Sequence, residues 1–166
     1  MLSLCVAMAA ISASAQKFAL VDMEYILKNV PAYERANEQL NQISKTWEDE
    51  VEAILQDVET MYKKYQSEAV FLSDAQKQKT EEAIMTKEKQ ASDLRKKYFS
   101  NEGELFKKRQ SLMSPIQDEI YNAVKDICDQ KGYQLVLDRA SGGSIIYASP
   151  KIDISDEVLL KLGYAH

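Results

Sequence analysis

The chain is poor in the residues on which most hydrolytic and metal chemistry depends. Its only histidine is His166, and its two cysteines are Cys5 and Cys128. Ser-His-Asp triads, Cys-His pairs and histidine-rich metal sites need more than this, so the sequence predicts no enzyme, no catalytic residues, no metal and no cofactor. The one diglycine, Gly142-Gly143, has neither the spacing nor the following helix of a phosphate loop, and reads as a turn. Glycine (5) and proline (3) are scarce throughout, which leaves long stretches without a helix breaker. No apolar run reaches the roughly 20 residues of a membrane-spanning helix. Basic charge is also in deficit, with a net charge of −5 and a pI near 5.0. Nucleic-acid binding is therefore not expected: the short cluster Lys107-Lys108-Arg109 reads as a solvated helix face. Membrane contact is left open.

What is present begins with a leader. Leu2 to Ile11 is apolar except for Ser3, and Ala13-Ser14-Ala15 supplies the small residues of a signal-peptidase site. Residues 1–15 are thus expected to be a signal peptide cleaved after Ala15, with export of the remainder. Leu4 before Cys5 argues against lipoprotein processing. Cys128 is then the single thiol of the exported chain, so no intramolecular disulfide is available. Its place beside Ile120, Val124 and Ile127 on one helical face makes it an inert core thiol.

From Ala32 to about Glu68 there is neither proline nor glycine, and good helix formers dominate. Leu40, Ile43, Trp47, Val51, Ile54, Val58, Met61 and Tyr65 recur at steps of three and four residues, which makes one apolar stripe along a single helix. Residues 69–74 interrupt the pattern. Ser73 can cap a second helix whose first turn carries Asp74. That helix bears a sparser stripe of Ile84, Ala91, Leu94, Tyr98, Leu105 and Leu112, and runs to Met113. Ser114-Pro115 then predicts a kink or restart. The two helices, roughly 55 and 60 Å long at the usual rise, match as an antiparallel hairpin, residues 32–113, with its tip near 69–74. This register sets Glu48, Asp49, Glu50, Glu52, Asp57 and Glu59 beside Lys87, Lys89, Arg95, Lys96 and Lys97, although exposed pairs contribute only about 0 to 1 kcal/mol each.

The two ends of the exported chain supply the rest. Phe18–Val21, Gln134–Leu137 and Ser144–Tyr147 read as strands, the last two joined by a loop over Asp138–Gly143. The helix from Pro115 should end at Gly132, and a final helix should start at Ser155, capped by that serine, and bury Val158, Leu159 and Leu162. The fold class is therefore α+β, with a long coiled-coil-like hairpin projecting from a small β-containing body made of residues 17–31 and 114–166. A body of about 68 residues without disulfides has a marginal core, so oligomerisation is expected. The candidates for it are Leu20, Val21, Ile120, Val124, Ile127, Leu135, Val136, Leu137, Ile145, Ile146 and Tyr147.

Three stretches in this order resemble the Skp (OmpH-like) periplasmic chaperone family. They are Lys17-Phe18-Ala19-Leu20-Val21-Asp22-Met23, then Gly132-Tyr133-Gln134-Leu135-Val136-Leu137-Asp138, then Ile145-Ile146-Tyr147-Ala148 followed by Asp153-Ile154-Ser155-Asp156-Glu157-Val158-Leu159. Pro115-Ile116-Gln117 is similar too. The resemblance implies a periplasmic homotrimer whose arms enclose a cavity for unfolded outer-membrane proteins and work without ATP. The acidic pI departs from the strongly basic members of that family. Candidate client-binding residues are Met61, Tyr62, Tyr65, Val70, Phe71, Leu72, Tyr98, Phe99, Phe106 and Met113, wide or polarizable groups suited to varied partners. Each has a plainer reading as hairpin packing, and the tip residues Val70, Phe71 and Leu72 are expected to close a local cluster with Tyr65 and Ala75. The alternative function is a structural coiled-coil protein of the cell envelope.

Overall fold

The computed structural model describes residues 17–141 and 145–164. The expected signal peptide, the Gly142-Gly143 turn, Ser144 and His166 lie outside them. The elements are β1 (Lys17–Val21), α1 (Met23–Lys28), α2 (Pro31–Glu68), α3 (Asp74–Phe99), α4 (Glu104–Lys131), β2 (Tyr133–Asp138) and α5 (Ser155–Leu162), with 3-10 turns at Ala69–Phe71 and Pro150–Ile152. Contacts divide the chain into two units: Val30–Glu119, and the residues up to Asn29 together with those from Ile120 onward.

Within Val30–Glu119, α2 runs unbroken for 38 residues from a proline in its first turn, where the missing N–H costs nothing. Its stripe buries Ala36, Leu40, Val51 and Val58, and α3 packs antiparallel against it. The seam on α3 is thin. Only Ile84, Ala91 and Tyr98 are buried, one side chain every two turns. Polar groups fix the register: Tyr62 Oη donates to Glu88 at 3.2 Å and Tyr98 Oη to Glu50 at 2.8 Å. Tyr65 donates to Glu81, and Lys87 pairs with Asp57 at 3.0 Å. Of the opposed charge blocks, Lys87–Asp57 is the one ion pair formed between these two helices among the described residues. Lys89 instead turns to Asp93 on its own helix. At the tip, Ser73 caps α3 in a reciprocal capping box with Gln76.

Of the kink or restart expected at Ser114-Pro115, the restart is not there: α4 is continuous through Pro115. Proline removes the hydrogen bond to the carbonyl of Ser111, but both residues are exposed, so water can take that acceptor. Burial of Ile116, Ile120, Ala123 and Ile127 along the same helix favours continuity. The second arm breaks earlier, at Ser100–Gly103. Gly103 is buried there, its N–H donating to Ser100 O at 2.8 Å. A Cβ at this position would meet Tyr98 O at 2.7 Å, Lys97 O at 2.9 Å and Ser100 N at 2.9 Å, all backbone atoms. Only glycine fits the turn.

In the other unit, β1 and β2 form a two-stranded parallel sheet with Phe18 opposite Leu135 and Leu20 opposite Leu137. A bridge from Leu20 to Asp153 extends the far edge of β1. The core comprises Ala19, Leu20, Val21, Ile26, Ile120, Ala123, Ile127, Ile154, Val158 and Leu159. Gly132, at a φ of 73°, ends α4 as expected. The expected strand at residues 144–147 is not formed by Ile145–Tyr147, which are non-helical, unpaired and exposed. Their strand-like composition finds no strand to pair with among the described residues. Ser155 opens α5 but is not its cap. Asp153 accepts from the Ser155 N–H at 2.9 Å and Oγ at 2.6 Å, while Ser155 Oγ accepts from Asp22 N at 2.8 Å. The serine is a buried link between the end of β1 and α5.

Asp22 anchors this junction. Its carboxylate caps α1 through Tyr25 N at 2.8 Å and pairs with Arg139 at 3.0 Å, and Arg139 also reaches Asp153 at 3.1 Å. The Tyr25 N–H, and then Arg139, hold the Asp22 carboxyl below its ordinary pKa against a desolvation penalty. A carboxyl depressed in the folded state stabilises it fully above the unfolded value near 3.9, and that contribution disappears as pH falls through the folded value.

Two outcomes are expected. Asp22→Asn keeps a capping side chain but removes the charge that Arg139 pairs with, so it lowers unfolding free energy at pH 7 by up to about 1 kcal/mol, and the gap from wild type narrows as pH drops below about 4; urea titrations across pH measure it, and a pH-independent gap contradicts the linkage. Gly103→Ala, by forcing backbone apart, destabilises by about 1 to 3 kcal/mol, read as a lower urea midpoint with helicity largely kept. An unchanged midpoint would mean that the turn tolerates a side chain.

Candidate functional site

The arm residues singled out from sequence divide into covered and uncovered groups. Tyr98 is only 7% exposed. Its ring stacks on Trp47 with centroids 4.6 Å apart and planes 3° apart, and Phe99 meets its edge at 6.2 Å. It is a packing residue, its phenol held above the usual pKa by the Glu50 carboxylate, and is not available to a partner in this conformation. Met61, Tyr65, Leu72, Phe99 and Met113 are half-buried. Tyr62 and Phe106 are exposed, as are Val70 (80%) and Phe71 (85%) at the tip.

The local cluster expected at the tip does not form. Val70 and Phe71 sit on the 3-10 turn, where i and i+3 spacing gives no face to pack on, and Ala75 is exposed as well. Met85, missed in the sequence because it falls off the α3 stripe, adds another exposed apolar side chain at 65%. Exposed thioether and aromatic groups of this kind can meet many apolar surfaces with little geometric demand.

Open grooves run along the hairpin. One of about 740 Å3 is lined by Gln42, Ile43, Thr46 and Trp47 of α2 and by Glu104, Lys107, Lys108 and Ser111 of α4. Another of about 480 Å3 is lined by Glu48, Asp49, Val51, Glu52, Arg95 and Phe99. A third of about 290 Å3 lies over Val51, Leu55 and Ala91. They follow from the thin seam, since Ala91 and Ser92 present too little volume to fill the space opposite Val51 and Leu55.

The oligomerisation candidates also divide. Leu20, Val21, Ile120 and Ile127 are 1 to 4% exposed and form the core of their own unit, which leaves them unavailable for a subunit contact; Val124 and Val136 are half-buried. Leu135 (53%), Leu137 (43%), Ile145 (37%), Ile146 (100%) and Tyr147 (83%) are open, as is Phe18 (53%) on β1. Cys128 is half-buried, and desolvation, then Asp129, push its thiol pKa up, which suits an unreactive thiol. Among the described residues no cluster of His, Cys, Asp and Glu is placed to hold a metal ion, and no helix is long and apolar enough to cross a membrane.

The chain has counterparts among known proteins. The chain is 29% identical over 153 residues to the chaperone protein Skp of Yersinia enterocolitica, covering 91% of this chain and 88% of that one. It is 26% identical over 159 residues to Skp of Pectobacterium atrosepticum, covering 95% and 92%. The crystal structure of an OmpH-like protein from Caulobacter crescentus shares the fold, with a TM-score of 0.72 at 13% identity over 90% of this chain and 85% of that one. Residues 17–162 match the family described as outer membrane protein (OmpH-like), and the chain belongs to that family.

Proposed function

We propose that this chain is an ATP-independent periplasmic holdase that binds unfolded outer-membrane proteins in a cavity between helical arms, as a homotrimer. The observation that carries the reading is the tip. Val70 and Phe71 are 80 and 85% exposed at the end of a hairpin that does not need them for packing. Leaving large apolar groups in water has a cost, and a non-enzymatic partner for exposed apolar segments gives that cost a use. Tyr62, Met85 and Phe106 extend the same character along the hairpin. Many weak contacts of this type sum to firm retention while each remains quickly reversible, so release needs no chemical cycle. The relatives named chaperone protein Skp support the same reading.

The alternative, a structural coiled-coil protein of the envelope, calls for a continuous unsatisfied seam along the arms. The buried residues of α3 are instead used within the hairpin, against α2. Self-association is better placed on Phe18, Leu135, Leu137 and Ile145–Tyr147, which form an exposed apolar set. A patch of this kind is what a marginal core is expected to cover by assembly.

The purified chain should suppress aggregation of a urea-unfolded outer-membrane barrel protein, with a complex mass fitting one client on three copies. No suppression by the folded chain defeats the proposal. The double variant Val70→Ser with Phe71→Ser should keep wild-type helicity and weaken client binding about three- to tenfold; undiminished binding would remove the tip from the account. Ile146→Lys should shift sedimentation toward the monomer, and an unchanged oligomer would move the interface elsewhere.

A further inference from the structure

Two of the grooves along the hairpin have apolar floors and rims of opposite charge. On α4, Glu104, Lys107, Lys108 and Ser111 lie at i, i+3, i+4 and i+7, so one helical face supplies that whole wall of the larger groove. The face is polar, yet it stands opposite Ile43 and Trp47, members of the apolar stripe of α2. Both remain half-buried, and the space between the walls is about 740 Å3. Glu104 is occupied by Lys107 at 3.0 Å, whereas Lys108 is exposed and has no ion pair among the described residues. The rim therefore carries surplus positive charge on a chain whose net charge is −5. The second groove sets Glu48, Asp49 and Glu52 against the single cation Arg95, over Val51 and Phe99. Its rim is negative.

We propose that the Ile43–Trp47 groove is a subsite for an unfolded polypeptide segment in which a large apolar side chain is followed closely by an acidic residue. This deepens the holdase reading and rests on it. The apolar side chain would lie on Ile43 and Trp47, an area suited to one aromatic group, with the carboxylate facing the Lys108 ammonium. The site is an open trough, so a chain can enter at one end and leave at the other. Gln42 on one wall has a side chain that both donates and accepts, and Ser111 Oγ on the other, whose proton goes to Lys108 O at 2.9 Å, is left to accept, as a passing main chain requires. The acid-rimmed groove over Val51 and Phe99 would disfavour the same segment by like-charge repulsion, which gives an extended client a direction along the arm.

Trp47 is the only tryptophan, so its emission reports occupancy of this groove. The full-length exported chain is titrated with three unstructured peptides alike except that a phenylalanine is followed by aspartate, asparagine or lysine. The aspartate peptide should shift the Trp47 emission and bind about five- to tenfold more tightly than the lysine peptide, with asparagine between. K108E should reverse that order and K108Q should flatten it, both at wild-type helicity. Equal affinities, or an order unchanged in K108E and K108Q, overturn the subsite. Saturation of the signal by laurate with no response to any peptide also overturns it and makes the groove a site for a small acidic amphiphile. Aggregation of an unfolded barrel protein, assayed alongside, separates the two levels. Suppression without a peptide order removes only the subsite, whereas loss of suppression in the wild-type chain removes the holdase reading itself.

Discussion

One buried side chain every two turns is all that α3 offers α2. Ile84, Ala91 and Tyr98 carry the inter-helix seam, and a seam so sparse supplies only a few kcal/mol per arm from apolar burial. It leaves side chains of α2 partly uncovered and lets grooves persist between helices that a denser stripe would have closed. The hairpin is consequently held at points rather than along a line. Those points are the Trp47–Tyr98 stack, the phenol-to-carboxylate hydrogen bonds from Tyr62, Tyr65 and Tyr98, the Lys87–Asp57 pair and the Ser73–Gln76 box. Tyrosine suits such a seam because its ring buries area while its hydroxyl reaches past the edge to a glutamate in water.

A point-fastened hairpin has a consequence for function. Apolar groups that would otherwise be locked in the seam are half-open along α2 and largely open at Val70 and Phe71, so apolar surface is uncovered without any rearrangement. The Gly103 turn contributes to this. By ending α3 at Phe99 and starting α4 at Glu104, it changes which helical face stands opposite Ile43 and Trp47. The polar face of α4 then leaves them under-covered. In the other unit the opposite economy holds. Asp22, Arg139, Asp153 and Ser155 tie β1, the segment after β2 and α5 into one small core, while uncovered apolar groups lie on β1, β2 and Ile145–Tyr147 and also at Tyr25, Tyr121 and Leu160.

Much of this was legible in the residues. The absence of proline and glycine from 32 to 68 and the three-four spacing of the α2 stripe are strong local signals, and Ser73 before Asp74 is a start signal; α2 ends at Glu68 and α3 starts at Asp74. The break in the second arm was misplaced because Pro115 is the louder signal. Its cost depends on whether the freed carbonyl is solvated, and that is a tertiary property. Ser100-Asn101-Glu102-Gly103 carried the quieter turn signal that the backbone obeys. The strand expected at Ile145–Tyr147 needs a neighbour to pair with, which composition cannot supply. For the candidate site, the stripes named the right kind of residue but not which ones a facing helix would cover. Tyr98 is stacked away while Phe71 is bare, and Met85 escaped notice because it lies off the stripe. The groove joining Gln42–Trp47 to Glu104–Ser111 spans more than fifty residues of sequence and was invisible before the fold.

The central claim, that a thinly seamed hairpin uses its uncovered apolar groups to hold unfolded polypeptide, is tested most directly by hydrogen exchange of the full-length chain with and without an unfolded outer-membrane barrel protein. Binding should slow exchange in peptides spanning Ala69–Leu72 and Gln42–Trp47 while leaving β1 and β2 unchanged. Protection confined to the β1–β2 unit, or none anywhere in the hairpin with client demonstrably bound, would contradict the account.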